Sequence, residues 1–229
     1  MARSRYFSPA LFDFLRELRQ NNTREWFLAN RQRYESQVRD PMLRFIADLG
    51  PHLRRMSPHL QADPRPVGGS LFRIHRDTRF SRDKRPYKTM AAAHFRHEAG
   101  RDVHAPGFYL HLEPGQVFAG AGLWHPDSVT LATVREAIVA HPSRWRRAVS
   151  ERPFRKTLSL WGETLKRPPN GYDPDHPLIE DLKRKDFVVH APLSEAAACA
   201  PGFMGRVTEI YQAAAPFVEF LTSAVGLRW

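Results

Sequence analysis

The chain has 229 residues, 42% hydrophobic and 26% charged, which excludes a low-complexity polymer and is ample for a packed core. Its 35 Lys and Arg against 24 Asp and Glu leave a net charge of +11, which permits an anionic partner without demanding one. A single cysteine, Cys199, excludes an intrachain disulfide. Asp13, Arg16 and Glu17 interrupt any apolar run after Arg3 and Arg5, so we expect no signal peptide, no membrane span and a cytoplasmic protein.

Ser8-Pro9 reads as a helix start, followed by Leu11, Phe12, Leu15 and Leu18 at helical spacing. Asn22 and Glu25 resemble a capping box for a second helix through Trp26, Phe27 and Tyr34. Trp26 and Phe27 read as core. Asp40-Pro41 predicts a break or kink, after which Met42, Phe45, Ile46, Leu49 and Leu53 share one face of a third helix. Residues 57–69 are broken by Pro58, Pro64, Pro66, Gly68 and Gly69 into a loop.

The densest charge lies between Arg73 and Lys88. Arg73, Arg76, Arg79, Arg82, Lys84, Arg85 and Lys88 are seven cations against Asp77 and Asp83, a local balance of +5. Six of the cations fall at every third position, a period that fits neither a helix nor a strand. Phe72 and Ile74 alternate with Arg73 and His75 as in a strand, and Thr89 to Phe95 reads as its partner. Between them, Asp77, Thr78, Ser81, Asp83 and Pro86 are turn chemistry. Arg presents a planar fork that fits phosphate or carboxylate, and Lys adds a point charge. We therefore take Arg73, Arg76, Arg79, Lys84, Tyr87, Lys88 and, after the sheet, Trp124 as candidate ligand residues. Asp77 and Asp83 are candidates to orient the forks or act as base. The competing reading is a solvated loop whose Arg and Asp residues pair locally, each pair contributing about 0–1 kcal/mol.

Several motifs in one order make the chain similar to a known bacterial family. They are NNTREWF (Asn21 to Phe27), RDTRFSRDKRPYK (Arg76 to Lys88), PGFYLHLEPG (Pro106 to Gly115), GAGLWHP (Gly120 to Pro126), PPNGYDPDHP (Pro168 to Pro177) and LKRKDF (Leu182 to Phe187). The chain resembles the domain of unknown function 2461 family over nearly its whole length. The resemblance implies an α+β domain and carries no settled activity or catalytic residues.

Farther along, Glu98 to Pro106 is a polar connection. Phe108, Leu110 and Leu112 alternate with Tyr109, His111 and Glu113, and Glu113-Pro114-Gly115-Gln116 suits a type II turn into a strand from Val117. Gly120 and Gly122 permit a bulge or close backbone approach. Four consecutive antiparallel strands are thus expected from Leu71 to Leu123, with a further one at Phe187 to Val189. Helices are expected after Asp127, after His141-Pro142, over Phe154 to Leu165, and from about Gly202, where Pro216 should kink the last. We expect one domain over residues 1–229. Its fold class is α+β: N-terminal helices (8–56), a central, mostly antiparallel sheet with the basic loop (70–123), and a C-terminal helical region (127–225).

Metal sites find little support. His94 and His97 would face opposite ways on a strand. His75, His111 and His125 with Glu113 could converge only if their strands are neighbours, and no HExxH or paired-Cys spacing occurs, so no metal or cofactor is assigned. Asp173, Asp175 and His176 read as a rigid loop cap. Phosphate-binding glycine loops and a Gly-x-Ser-x-Gly elbow are absent. The reading carried forward is a small phosphate- or carboxylate-bearing ligand at the basic loop, with catalysis left open. A nucleic-acid-binding module and a purely structural Arg/Asp loop are the alternatives.

Overall fold

The computed structural model describes residues 6–100 and 105–229. Arg3 and Arg5, and residues 101–104 of the connection expected between Glu98 and Pro106, lie outside the described residues. The chain opens with α1 (Pro9–Gln20), α2 (Arg24–Ala29), α3 (Arg31–Tyr34) and α4 (Asp40–Met56). No break occurs at Asp40-Pro41. A π-helical turn at Glu35–Arg39 carries α3 into α4. Pro41 has no N–H for the helical ladder and its ring crowds the preceding turn, and a widened turn relieves both. The predicted face of α4 is buried, from Met42 to Leu53.

The α2 cap is Thr23, whose hydroxyl accepts from the Trp26 N–H at 3.3 Å. The expected cap residue, Asn22, is occupied elsewhere. Its side-chain oxygen accepts from the Tyr87 N–H and its amide donates to the Tyr87 carbonyl, both at 3.0 Å. With its amide turned onto the Tyr87 backbone, Asn22 leaves the cap to Thr23.

Three strands follow, β1 (Ala91–Arg96), β2 (Gly107–Glu113) and β3 (Gln116–Leu123). Gly115 sits at φ 81°, as the third position of a type II turn requires. The expected strand before them is reduced to single bridges, Leu71 to Ala93 and His75 to Tyr87. Its outer end pairs with its own return instead of with β1, through Arg76 N–H to Pro86 O and Lys88 N–H to Ile74 O, each 2.8 Å. The basic loop is therefore pinched shut at its base.

Then come α5 (Ser128–Ala140), α6 (Pro142–Ser150) and α7 (Arg152–Thr157). The helix expected to reach Leu165 ends at Thr157, and Ser159–Trp161 is a strand, β4. Short α8 (Ile179–Leu182) leads to β5 (Phe187–Leu193), short α9 (Glu195–Ala198) and the long α10 (Phe203–Ala224), which Pro216 does not terminate.

The five strands form one antiparallel sheet in the order β1-β2-β3-β5-β4, so the fold is α+β. Strand alternation gives it two unlike faces. Phe95, Phe108, Leu110, Ala119, Phe187 and Val189 point into the core. There Tyr211 of α10 lies 4.6 Å from Phe108, and Phe203 joins Phe7 and Phe45 of the N-terminal region at 5.7 Å each. The opposite face bears His94, Tyr109, His111, Phe118, His190 and Trp161, and none of the helices named above covers it.

Candidate functional site

A hollow of about 440 Å³ occupies that second face. Its floor is Tyr109, His111, Phe118, Gly120 and His190. Phe72 and Lys88 bound it on the β1 side, and Trp124 and Trp161 on the β4 side. Gly120, between Tyr109 and His190, leaves the middle of the floor without a side chain. Gly122 serves the strand pairing instead: it sits at φ +122°, and a Cβ on it would meet the Phe187 carbonyl oxygen at 2.1 Å. A mostly apolar wall with a few polar groups is the usual make-up of a small-molecule site.

Two tryptophans stand half-exposed at the rim, Trp124 at 48% and Trp161 at 53%. Asp186, almost fully buried, holds both segments. One carboxylate oxygen accepts from the His125 N–H at 2.8 Å and the other from the Glu163 N–H at 3.0 Å. His125 also places Nδ1 3.1 Å from that carboxylate, and its ring lies 4.2 Å from Trp124.

On the floor, three alternate residues of β2 form a ladder. The Glu113 carboxylate can only accept, so His111 Nε2–H donates to it at 3.1 Å, which leaves Nδ1 to accept the Tyr109 hydroxyl proton at 3.0 Å. The Glu113 carboxylate is itself held by Arg19 of α1 at 2.8 Å and the Thr89 hydroxyl at 3.0 Å. His111 is 7% exposed and stacks on Phe118 at 4.8 Å. Burial lowers the His111 pKa, partly offset by Glu113, and burial raises that of the Tyr109 phenol. Beside them, His190 Nδ1 is buried without a hydrogen-bond partner among the described residues.

The structure brings together two of the seven candidate ligand residues at this hollow, Lys88 and Trp124. Lys88 is half-buried. Its ammonium donates to the Arg73 carbonyl at 2.8 Å, lies 5.4 Å from the centre of the Phe72 ring, and forms no ion pair with a carboxylate of the described residues. Burial, and then the nearby Arg73 charge, lower its pKa.

The other candidates lie along the loop. Arg76 and Arg85 share Asp83, and Arg79 forks onto Asp77 with its shorter bond at 2.6 Å. Lys84 donates to the Thr78 carbonyl at 3.0 Å. The Arg79 partner holds the Asp77 carboxyl at about 2, and Arg85 and Arg76 hold Asp83 well below the usual range. Tyr87 is buried and stacks on Phe27 at 4.1 Å, so it anchors the loop and is closed to a ligand in the loop. The loop tip carries Phe80, 95% exposed.

The histidines weighed for a shared metal are dispersed. His75 packs near Phe27 and Tyr87, His111 bonds Tyr109 and Glu113, and His125 pairs with Asp186. No group of three or more His, Cys, Asp or Glu among the described residues is placed to hold a metal. Asp173 accepts from the Asp175 N–H and His176 Nδ1 from the Leu178 N–H, the local caps expected there.

Trp161 carried no signal because β4 is too short to show an alternation and falls within an expected helix, and His190 lies one residue beyond the expected strand at Phe187 to Val189. Tyr109, His111 and Glu113 were legible as one strand face, but not their bonding. A second hollow of about 450 Å³, by Tyr6 and the start of α10, has only the exposed Arg206 and Glu209 as charged lining.

No helix among the described residues is long and apolar enough to cross a membrane. Comparison with curated proteins and with solved structures finds no match. A family model described as a conserved hypothetical protein, DUF2461, matches residues 10–220. The match spans the basic loop, every strand of the sheet and nearly all of α10, so the chain belongs to the DUF2461 family.

Proposed function

We propose that the protein binds a small molecule with a flat apolar body and an anionic group on the open face of its sheet. The observation that carries this is the pairing of the aromatic hollow with Lys88, a half-buried ammonium at its edge that has no carboxylate partner among the described residues. A half-buried cation gains more from an anionic partner than a fully exposed one, because less water competes for it. The anion subsite thus sits at the base of the basic loop, at Lys88, while Arg76, Arg79 and Lys84 along it serve the loop's own structure.

The probe is 1-anilinonaphthalene-8-sulfonate, a flat apolar body with one negative charge. Its fluorescence titration should give a single site. Trp161→Ala and Lys88→Gln should each weaken it about tenfold, roughly the worth of one stacking or charged contact. Arg79→Ala should change nothing. Equal affinity in all four proteins, or no binding to the folded wild type, would refute the reading.

A second reading, single-stranded nucleic acid, is favoured by the same aromatic face together with the net charge of +11. Its mark is affinity for a short oligonucleotide that falls steeply with salt.

A further inference from the structure

We propose that Tyr109, His111 and Glu113 form a proton relay at this hollow, with Tyr109 as the general acid–base group that touches the ligand. The inference rests on the ligand-binding reading above and adds to it a class of substrate: one with a weakly acidic O–H on a flat skeleton, a phenol or the enol of a carbonyl compound.

Glu113 fixes the proton of His111 on Nε2, and His111 Nδ1 then takes the Tyr109 proton into a hydrogen bond of 3.0 Å. The phenolic oxygen keeps lone pairs for a ligand in the hollow that Tyr109 lines. When a ligand O–H meets that oxygen, its proton passes to Tyr109 Oη and the Tyr109 proton passes to His111 Nδ1. His111 keeps its Nε2–H on Glu113. The products are a ligand oxyanion near the Lys88 ammonium and an imidazolium against the Glu113 carboxylate. Only O–H and N–H bonds change, and each proton has a named donor and acceptor.

Burial disfavours the imidazolium, so the exchange depends on the Glu113 carboxylate that opposes it. Arg19 of α1 and Thr89 both hold Glu113, which keeps its carboxylate aimed at His111. The charged and titratable groups around His111 are Tyr109 and Glu113 on its own strand, Arg19 from α1, Lys88 from the loop, His94 from β1 and His190 from β5. From β3 only Phe118 faces it, flat against the ring. Glu113 is the one anion in that set, so a proton arriving on His111 is stabilised from a single direction.

The test uses 4-nitrophenol, whose ionised form is read by its absorbance, and nitrobenzene, which has no proton to give. Binding to the folded protein should make 4-nitrophenol ionise at lower pH, by at least about tenfold in its ionisation constant. Tyr109→Phe and His111→Gln should abolish most of that change and leave nitrobenzene affinity within about twofold, and Glu113→Gln should reduce it. Tyr109→Phe keeps the ring, so the fold is not at risk. If both probes bind and ionisation is unchanged, or changes equally in Tyr109→Phe, the relay is refuted and the pocket stands. If neither binds, the pocket fails and the relay with it.

Discussion

His111 has both ring nitrogens engaged and its ring buried, and that fixes the sign of its pH effect. Its folded pKa is lowered, chiefly by burial. The unfolded chain takes up a proton near pH 6.5 that the folded chain accepts only lower. Stability from this group is complete above the unfolded pKa and lost as pH falls through the window beneath it. His111→Gln should therefore flatten the fall of Tm between about pH 7 and about pH 5. A slope equal to the wild type would show that the ring is not held neutral. Asn22 acts through geometry instead of charge. Losing its two bonds to Tyr87 in Asn22→Ala should cost about 1–3 kcal/mol in denaturant unfolding. Phe80, in contrast, touches almost nothing, so Phe80→Ser should leave stability within about 0.5 kcal/mol.

Among the elements, β3 and the basic loop carry the site. β3 pairs on both sides, and Gly122 lets the β5 backbone approach where a side chain would collide with the Phe187 carbonyl. With a φ of +122°, Gly122→Ala combines a clash with an unfavourable backbone, and thermal unfolding should show a loss of at least about 2 kcal/mol. The loop shows how a dense basic segment can be stable without an external anion. Each Asp accepts its own i+2 Arg, Asp77 from Arg79 and Asp83 from Arg85, and Asp83 also takes Arg76 from across the loop. Of the six cations spaced by three, Arg76, Arg79 and Arg85 belong to these pairs. Because both carboxyls are held low, their contribution is complete above the ordinary aspartate value of about 4 and is lost only as pH falls toward about 2.

At the scale of the whole molecule, one continuous cluster of buried side chains runs from Phe7 to Leu221. Rings from the N-terminal region meet α10, and Arg19 reaches Glu113 across the end of the sheet. We propose on that basis that the chain is a single folding unit. Trypsin cleavage at the exposed Arg79 or Arg82 should then give two fragments that still co-elute on size exclusion. Fragments that separate under native conditions would show two independent parts.

What the sequence determined by itself was local. Alternation in 107–123, Pro114-Gly115 at the turn, the apolar stripe of α4 and the proline-led starts of α1 and α6 depend on neighbours a few residues apart, and each stands where it was read. The tertiary structure decided what depends on distant partners. Ser159–Trp161 became a strand because β5 offered it an edge, and Asn22 gave up its cap because the Tyr87 backbone lay within reach. The same holds for the site. Of the cations that dominate the text, Arg76, Arg79 and Arg85 pair with Asp77 and Asp83, while Tyr109, His111, Phe118, Trp161 and His190 meet because β2, β3, β5 and β4 are adjacent in the sheet. A pleated strand sends alternate side chains to one face, but which strands share that face is set by long-range hydrogen bonding, and no short stretch of sequence contains it.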